Sequence, residues 1–200
     1  MPDQPSPLDR RGYPGWVRSW QLGPDLAPRP ESVTVTAPAA TLANGTEVSF
    51  GTRLPLLARS AATVRVETPA GTSTLPAAAV APAPASLVAT AQRFLGLRYL
   101  WGGLSAWGYD CSGLTWAVFR VHGITIPRDA DAQFAAGRPV AMNALRPGDL
   151  IFYEHPVGHV AIYAGGGQMI ESPNSASEVR LVPVRTAGLA GARRFAANPS

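Results

Sequence analysis

The chain has a single cysteine among its 200 residues, in the stretch WGYDCSGLTWAVFR between Asp110 and Ser112, where an apolar run begins. Free cysteine is usually a small buried hydrophobe. Position here argues for chemistry as well. Asp110 is suited to cap a helix starting at Cys111, so the unpaired N–H groups of the first turn would face the sulfur and favour the thiolate, the nucleophilic form. Gly108 and Gly113 would let a substrate backbone come close.

A cysteine nucleophile needs a base, and the base needs a third group to hold its ring. Three histidines are available. His122 falls at the far end of the expected helix, roughly 16 Å from Cys111, and suits a helix C-terminus before Gly123. His155 lies in a Pro-containing loop and is expected to be solvated. His159 opens the run HVAIY, on the same strand face as Ala161 and Tyr163, and is the best candidate. Glu171 is the candidate third group, on a condition. If Gly165, Gly166 and Gly167 form a three-residue loop, Ala164 pairs with Gln168 and Ala161 with Glu171, which puts Glu171 diagonally beside His159. A two-residue loop would turn Glu171 to the opposite face.

The elements that must position these residues follow from periodicity. Leu87, Val88, Ala91, Phe94 and Leu95 have helical spacing, with Gly96 as the stop. A loop rich in glycine and aromatics, LRYLWGGLSAWGY, leads to the run Cys111 to His122, apolar on nearly every side and therefore read as a buried helix. RDADAQFAAG predicts a third helix, Asp129 to Ala136. RPGDLIFYE, HVAIYAG and QMIESP read as strands. Helices followed by antiparallel strands define an α+β domain from Ser86 onward. Before it, SVTVTA, EVSFG, RLPLLAR, ATVRVETPAG and TSTLPAAAV read as short strands of a small β region, and Pro82–Ala85 as a stiff linker.

Composition narrows the function classes. A hydrophobic content of 46% supports a buried core, and the net charge of +4 comes mostly from arginines spread without a run, which fits a solvated surface better than nucleic-acid binding. No stretch is long and apolar enough to span a membrane. One cysteine allows no intramolecular disulfide and no CxxC pair, and with a single strong histidine it is short of ligands for catalytic zinc. No metal or other cofactor is expected. The first residues lack a basic segment followed by an apolar core, so the chain as written is expected in the cytoplasm; a true start upstream of Met1 would allow secretion or wall association.

Several blocks in order, RYLWGGLSAWGYDCSGLTWAVF, IPRDADAQ, RPGDLIFY and GHVAIYAGGGQMIESP, resemble the NlpC-type cell-wall peptidases, which are papain-like. The resemblance covers about residues 86 to 195. It implies Cys111 as nucleophile, His159 as base, Glu171 at a third position that is His in many members, Tyr99 on the oxyanion side, and Asp110 and Ser112 in contact with the substrate's amine and main chain. LDRRGYPGWV is similar to the bacterial Src-homology-3-like barrels of murein-peptide recycling enzymes, in which a tyrosine matched by Tyr13 restricts the site to short peptides with free N-terminal L-alanine. The expectation is a papain-like α+β domain, residues 86–200, after a small or incomplete β-barrel, residues 1–81. It would hydrolyse the amide between γ-D-glutamate and a diamino acid such as meso-diaminopimelate in peptidoglycan-derived peptides. A non-catalytic murein-binding module and an acyl transferase or transpeptidase using the same pair are the alternatives.

Overall fold

The structure is a computed structural model that describes residues 31–196; Tyr13 lies outside them. The chain divides into two compact units between Ala83 and Pro84.

In the first unit, β1 (Ser32–Thr34), β2 (Ala39–Thr41), β3 (Glu47–Ser49), β4 (Arg53–Arg59), β5 (Thr63–Thr68) and β6 (Gly71–Pro76) form an antiparallel sheet in the order β1-β4-β5-β6 and a separate β2–β3 pair. Strict alternation along β5 puts Val64, Val66 and Thr68 inside, and the valines join Val33, Val35, Leu42, Leu54, Leu75 and Val80 in one core. The sheets are open, so the described residues do not form a closed barrel. Contacts between the two sheets are isolated bonds, such as Ala43 N–H to the Thr74 carbonyl at 2.8 Å, rather than a ladder. TSTLPAAAV is not one strand: it breaks after Pro76, and Ala77–Val80 forms a 3-10 turn that delivers Val80 to the core. Alanines favour helical backbone, and after the Ala77 N–H bond to the Ala62 carbonyl at 2.8 Å the chain leaves β5.

The second unit begins with α1 (Leu87–Gln92), capped by Ser86, whose hydroxyl accepts from Ala89 N–H at 3.1 Å. A short hairpin, β7 (Leu104–Ser105) and β8 (Gly108–Tyr109), precedes α2 (Cys111–Val121), and α3 (Ala130–Ala136) follows. The remaining strands are β9 (Arg138–Val140), β10 (Leu150–Tyr153), β11 (His159–Gly165), β12 (Gln168–Glu171), β13 (Arg180–Pro183) and β14 (Leu189–Arg194), in the sheet order β13-β12-β11-β10-β14-β9 with every pair antiparallel. α2 packs against α1 and β11. It is buried on nearly all sides, as its sequence implies, with Leu114, Val118 and Phe119 almost inaccessible. Ile151, Tyr153, Ala161 and Met169 cluster on one sheet face. On the other face of β10, Phe152 meets Phe134 of α3 edge to face at 5.3 Å. Among the described residues no helix is long and apolar enough to cross a membrane.

The hairpin that sets Glu171 differs in detail from the simple three-residue loop. Gly165 pairs with Gln168, so Gly166 and Gly167 alone form the turn, both at positive φ as a type I′ turn requires. One extra residue, Ala164, is bulged between the Tyr163–Met169 and Gly165–Gln168 pairs. The bulge restores the parity that a two-residue loop would have reversed. Ala161 therefore lies opposite Glu171.

Candidate active site

Cys111 is the first residue of α2. Asp110, in extended backbone, caps the helix by accepting Gly113 N–H on Oδ1 at 2.6 Å. The same carboxylate accepts Gly102 N–H on Oδ2 at 2.9 Å and a two-pronged contact from Arg128, Nη1 to Oδ1 at 3.0 Å and Nη2 to Oδ2 at 2.7 Å. Ser112 Oγ accepts from Arg128 Nη1 at 2.9 Å. Asp110 and Ser112 thus flank Cys111, but their polar side-chain atoms are engaged inside the protein. Gln133 of α3 completes the support: its side-chain nitrogen donates to the Ser112 carbonyl at 3.2 Å and its oxygen accepts from Thr115 Oγ1 at 2.9 Å. Cys111 therefore stands on a helix start fixed by a cap, an ion pair and a buried amide. Gly113 is required there, because a Cβ would overlap the Gly103 carbonyl oxygen.

His159 opens β11 opposite Tyr153 of β10. Its Nε2 bonds Glu171 Oε2 at 2.9 Å. Cys111 Sγ lies 3.9 Å from the carbonyl oxygen of Gly158, the residue before His159. The three expected residues thus meet at the start of β11. Tyr153 supports the imidazole, with ring centroids 5.9 Å apart.

Glu171 is fully buried and depends on partners for its charge. Besides His159, it receives Arg180 Nε and Nη2 on Oε1 at 3.1 and 2.8 Å, and Arg185 Nη1 on both oxygens at 2.9 Å. Burial alone would raise its pKa, but hydrogen bonds from His159, Arg180 and Arg185 hold it down at about 2. Burial likewise works against a charged His159. Hydrogen bonds to Cys111 and Glu171, reinforced by their charges, outweigh burial and lift the imidazole to about 9. The ring is therefore protonated through the neutral range, able to stabilise a thiolate and to give a proton to a leaving group.

Tyr99 is half-buried, bridged to Tyr109 and held by its N–H to the Ser177 carbonyl at 2.9 Å. Its hydroxyl is made less acidic by burial and then by Cys111 and Asp110. The other two histidines stand apart. His155 is exposed, and His122 caps the end of α2, where Nε2 meets Thr90 Oγ1 at 2.8 Å and burial lowers its pKa. Sequence reasoning missed Arg128, Gln133, Arg180 and Arg185. The available signal was the carboxylates themselves, since a buried Asp or Glu demands cations or N–H donors.

A helix-borne cysteine facing a strand-borne imidazole, which a carboxylate on the next strand orients, defines a papain-like cysteine peptidase. The "NlpC/P60 family" model matches residues 96–193, and the "YKFC SH3b2 domain" model matches residues 35–81. A Bacillus cereus relative named gamma-D-glutamyl-L-lysine dipeptidyl-peptidase is 39% identical over 96% of this chain and 67% of its own length; a Bacillus subtilis relative of the same name is 37% identical over 91% and 67%. The crystal structure of an NlpC/P60 family protein from Bacillus cereus superposes with a TM-score of 0.76 at 40% identity, covering 82% of this chain and 63% of that one. The peptidoglycan hydrolase RipB of Mycobacterium tuberculosis matches with a TM-score of 0.51 at 38% identity, over 54% of this chain and 62% of that one. The chain belongs to the NlpC/P60 family. It spans about two thirds of the length of these Bacillus relatives.

Proposed function

We propose that the protein hydrolyses the amide between γ-D-glutamate and the diamino acid of peptidoglycan stem peptides, through a thioester on Cys111. The observation that carries this reading is the imidazole of His159, gripped at Nε2 by the buried Glu171 carboxylate, in the residue next to the Gly158 carbonyl that the Cys111 thiol meets.

Each part of the site has a step. Sulfur, having given its proton to His159, attacks the carbonyl carbon as a thiolate, and the carbonyl electrons move to oxygen. The N–H groups of Cys111 and Ser112, which precede the capped Gly113 N–H in α2, lack intrahelical partners and stabilise that oxyanion together with the Tyr99 hydroxyl. Collapse breaks the carbon–nitrogen bond as His159 protonates the leaving amine of the diamino acid. The ring, now neutral, takes a proton from water, whose oxygen attacks the thioester carbon; release of the glutamyl carboxylate returns the sulfur and the proton to the pair.

The names of the Bacillus relatives carry γ-D-glutamyl and L-lysine, so L-lysine joins meso-diaminopimelate as a diamino acid to test. Tyr13 is proposed to meet the free N-terminal L-alanine of short peptides. The test is mass spectrometry of L-Ala-γ-D-Glu-meso-diaminopimelate and L-Ala-γ-D-Glu-L-Lys after incubation with the protein, beside intact murein sacculi and a Cys111→Ser control. Release of L-Ala-γ-D-Glu from either tripeptide supports the reading, and the faster of the two identifies the preferred diamino acid. Cutting of sacculi alone replaces recycling of short peptides with wall hydrolysis. No cysteine-dependent cleavage of any substrate refutes the reading.

A further inference from the structure

We propose that Arg185, two residues beyond β13, is a positioning residue for the Cys111–His159 pair, acting on the imidazole through both oxygens of Glu171 and through the ring of Tyr153. The inference rests on the reading of that pair as catalytic.

The four side chains close a circuit. His159 Nε2 bonds Glu171 Oε2 at 2.9 Å, and Arg185 Nη1 lies 2.9 Å from both oxygens of that carboxylate. The Arg185 guanidinium carbon sits 4.5 Å from the centroid of Tyr153, and the Tyr153 ring lies 5.9 Å from the imidazole, tilted by 37°. The Tyr153 hydroxyl accepts Arg185's own backbone N–H at 3.3 Å, so main chain and guanidinium are tied to one ring. An arginine side chain that is 39% exposed would ordinarily extend into water. This one folds back onto a wholly buried acid.

Arg180 differs in a way that isolates the role. Both of its contacts are to Oε1, the oxygen turned from His159. Arg180 helps hold the negative charge, whereas Arg185 shares with the imidazole the oxygen that orients it. An oxygen divided between two donors is a weaker acceptor for either, and a cation nearby opposes charge on the imidazolium. Arg185 therefore fixes the angle of the ring and at the same time restrains its basicity. Facing the ring are Cys111 from α2, Tyr153 from β10 and Glu171 from β12; behind Glu171 stand Arg180 from β13 and Arg185. Removal of a neighbouring cation therefore favours the charged imidazolium of His159.

The experiment compares Arg185→Gln and Arg185→Lys, in the native protein and in Glu171→Gln, with two readouts. The first is an NMR titration of the His159 ring, which needs no substrate. Arg185→Gln is expected to raise the His159 midpoint by roughly half to one pH unit, Arg185→Lys to return most of that shift, and the Glu171→Gln background to abolish most of it. The second is the pH profile of kcat on the stem tripeptide. Arg185→Gln is expected to lower kcat roughly tenfold, with KM within about twofold, and to move the limb that follows His159 to higher pH. An unmoved midpoint, or an equal shift in both backgrounds, overturns the inference. If Arg185→Gln does not fold, Arg185→Lys decides alone: a fall in kcat with a near-native midpoint supports positioning, and unchanged kcat overturns it. A His159 shift as expected in a protein that cleaves nothing would leave the positioning standing and refute the hydrolytic reading instead.

Discussion

Replacing Glu171 by glutamine keeps the side chain's shape and removes its charge from a site with no access to water. The interval between the ordinary histidine value of 6.5 and about 9 represents about 3 kcal/mol of preference for the imidazolium. Cys111 supplies part of that preference and persists in the variant. Loss of Glu171 then removes on the order of half, and with the loss of ring orientation kcat is expected to fall roughly 10- to 100-fold rather than to vanish. Stability gives an independent check with a definite sign. Glu171 moves from 4.5 to about 2 on folding, so its contribution is present above 4.5 and is lost as pH falls toward 2. His159 moves the other way, so its contribution is complete below 6.5 and is lost as pH rises through about 9. The two shifts share the His159–Glu171 contact and are not summed, so Glu171→Gln is expected to cost about 2 to 3 kcal/mol between pH 4.5 and 6.5. Urea unfolding of both proteins across pH would show that difference at its widest in this window and narrower on either side. A difference independent of pH, or an unchanged kcat, would refute the reasoning.

Cys111→Ser and His159→Ala are each expected to reduce hydrolysis of the stem tripeptide to background, read by mass spectrometry of released dipeptide; full activity in Cys111→Ser would end the thioester mechanism. Arg128→Leu strands the Asp110 carboxylate, whose side chain is only 10% exposed, and is expected to cost about 3 kcal/mol in urea unfolding, at the low end for a broken buried pair because the Gly102 and Gly113 N–H groups persist. Gly113→Ala sets a Cβ against the Gly103 carbonyl and 2.8 Å from Asp110 Oδ1; a loss of about 1 to 3 kcal/mol is expected, with a fall in kcat, since both neighbours belong to the support under Cys111.

What the sequence disclosed was whatever periodicity or capping chemistry marks locally. The apolar run from Cys111, its Asp110 cap and the strand-forming run HVAIY announced α2 and β11, and with them the places of Cys111 and His159. Strands β13, at one edge of the sheet, and β14, between β10 and β9, carried no such mark. RLVP is largely exposed, and LAGARR contains glycine and small residues whose burial comes from position in the sheet rather than from pattern. With those strands went Arg180 and Arg185, and the arginine surplus read as an ordinary solvated surface. In the folded chain Arg128, Arg180, Arg185 and Arg194 each pair with a buried carboxylate. Net charge alone says nothing about such pairing, because it is set by which acids the tertiary fold has buried.

The glycine hairpin shows where the boundary of legibility lies. AGGGQ offers a choice of turn lengths, and only the parity of unpaired residues decides whether Glu171 faces His159. A three-residue loop and a two-residue I′ turn with one bulged residue have the same parity, so the sequence reading reached the right partner by way of the wrong turn. What selects between them is tertiary. The Tyr163 hydroxyl accepts Gly167 N–H at 3.2 Å, while its backbone carbonyl and N–H are bound to Gly148 N–H at 2.8 Å and the Asp149 carbonyl at 2.7 Å. Tyr163 is thereby tied to the segment entering β10 on one side and to the turn on the other, and the slack of one residue falls on Ala164. The form of the turn, though not its parity, is thus set by a hydrogen-bonded tyrosine eight residues before Glu171, at the opposite end of the hairpin from His159.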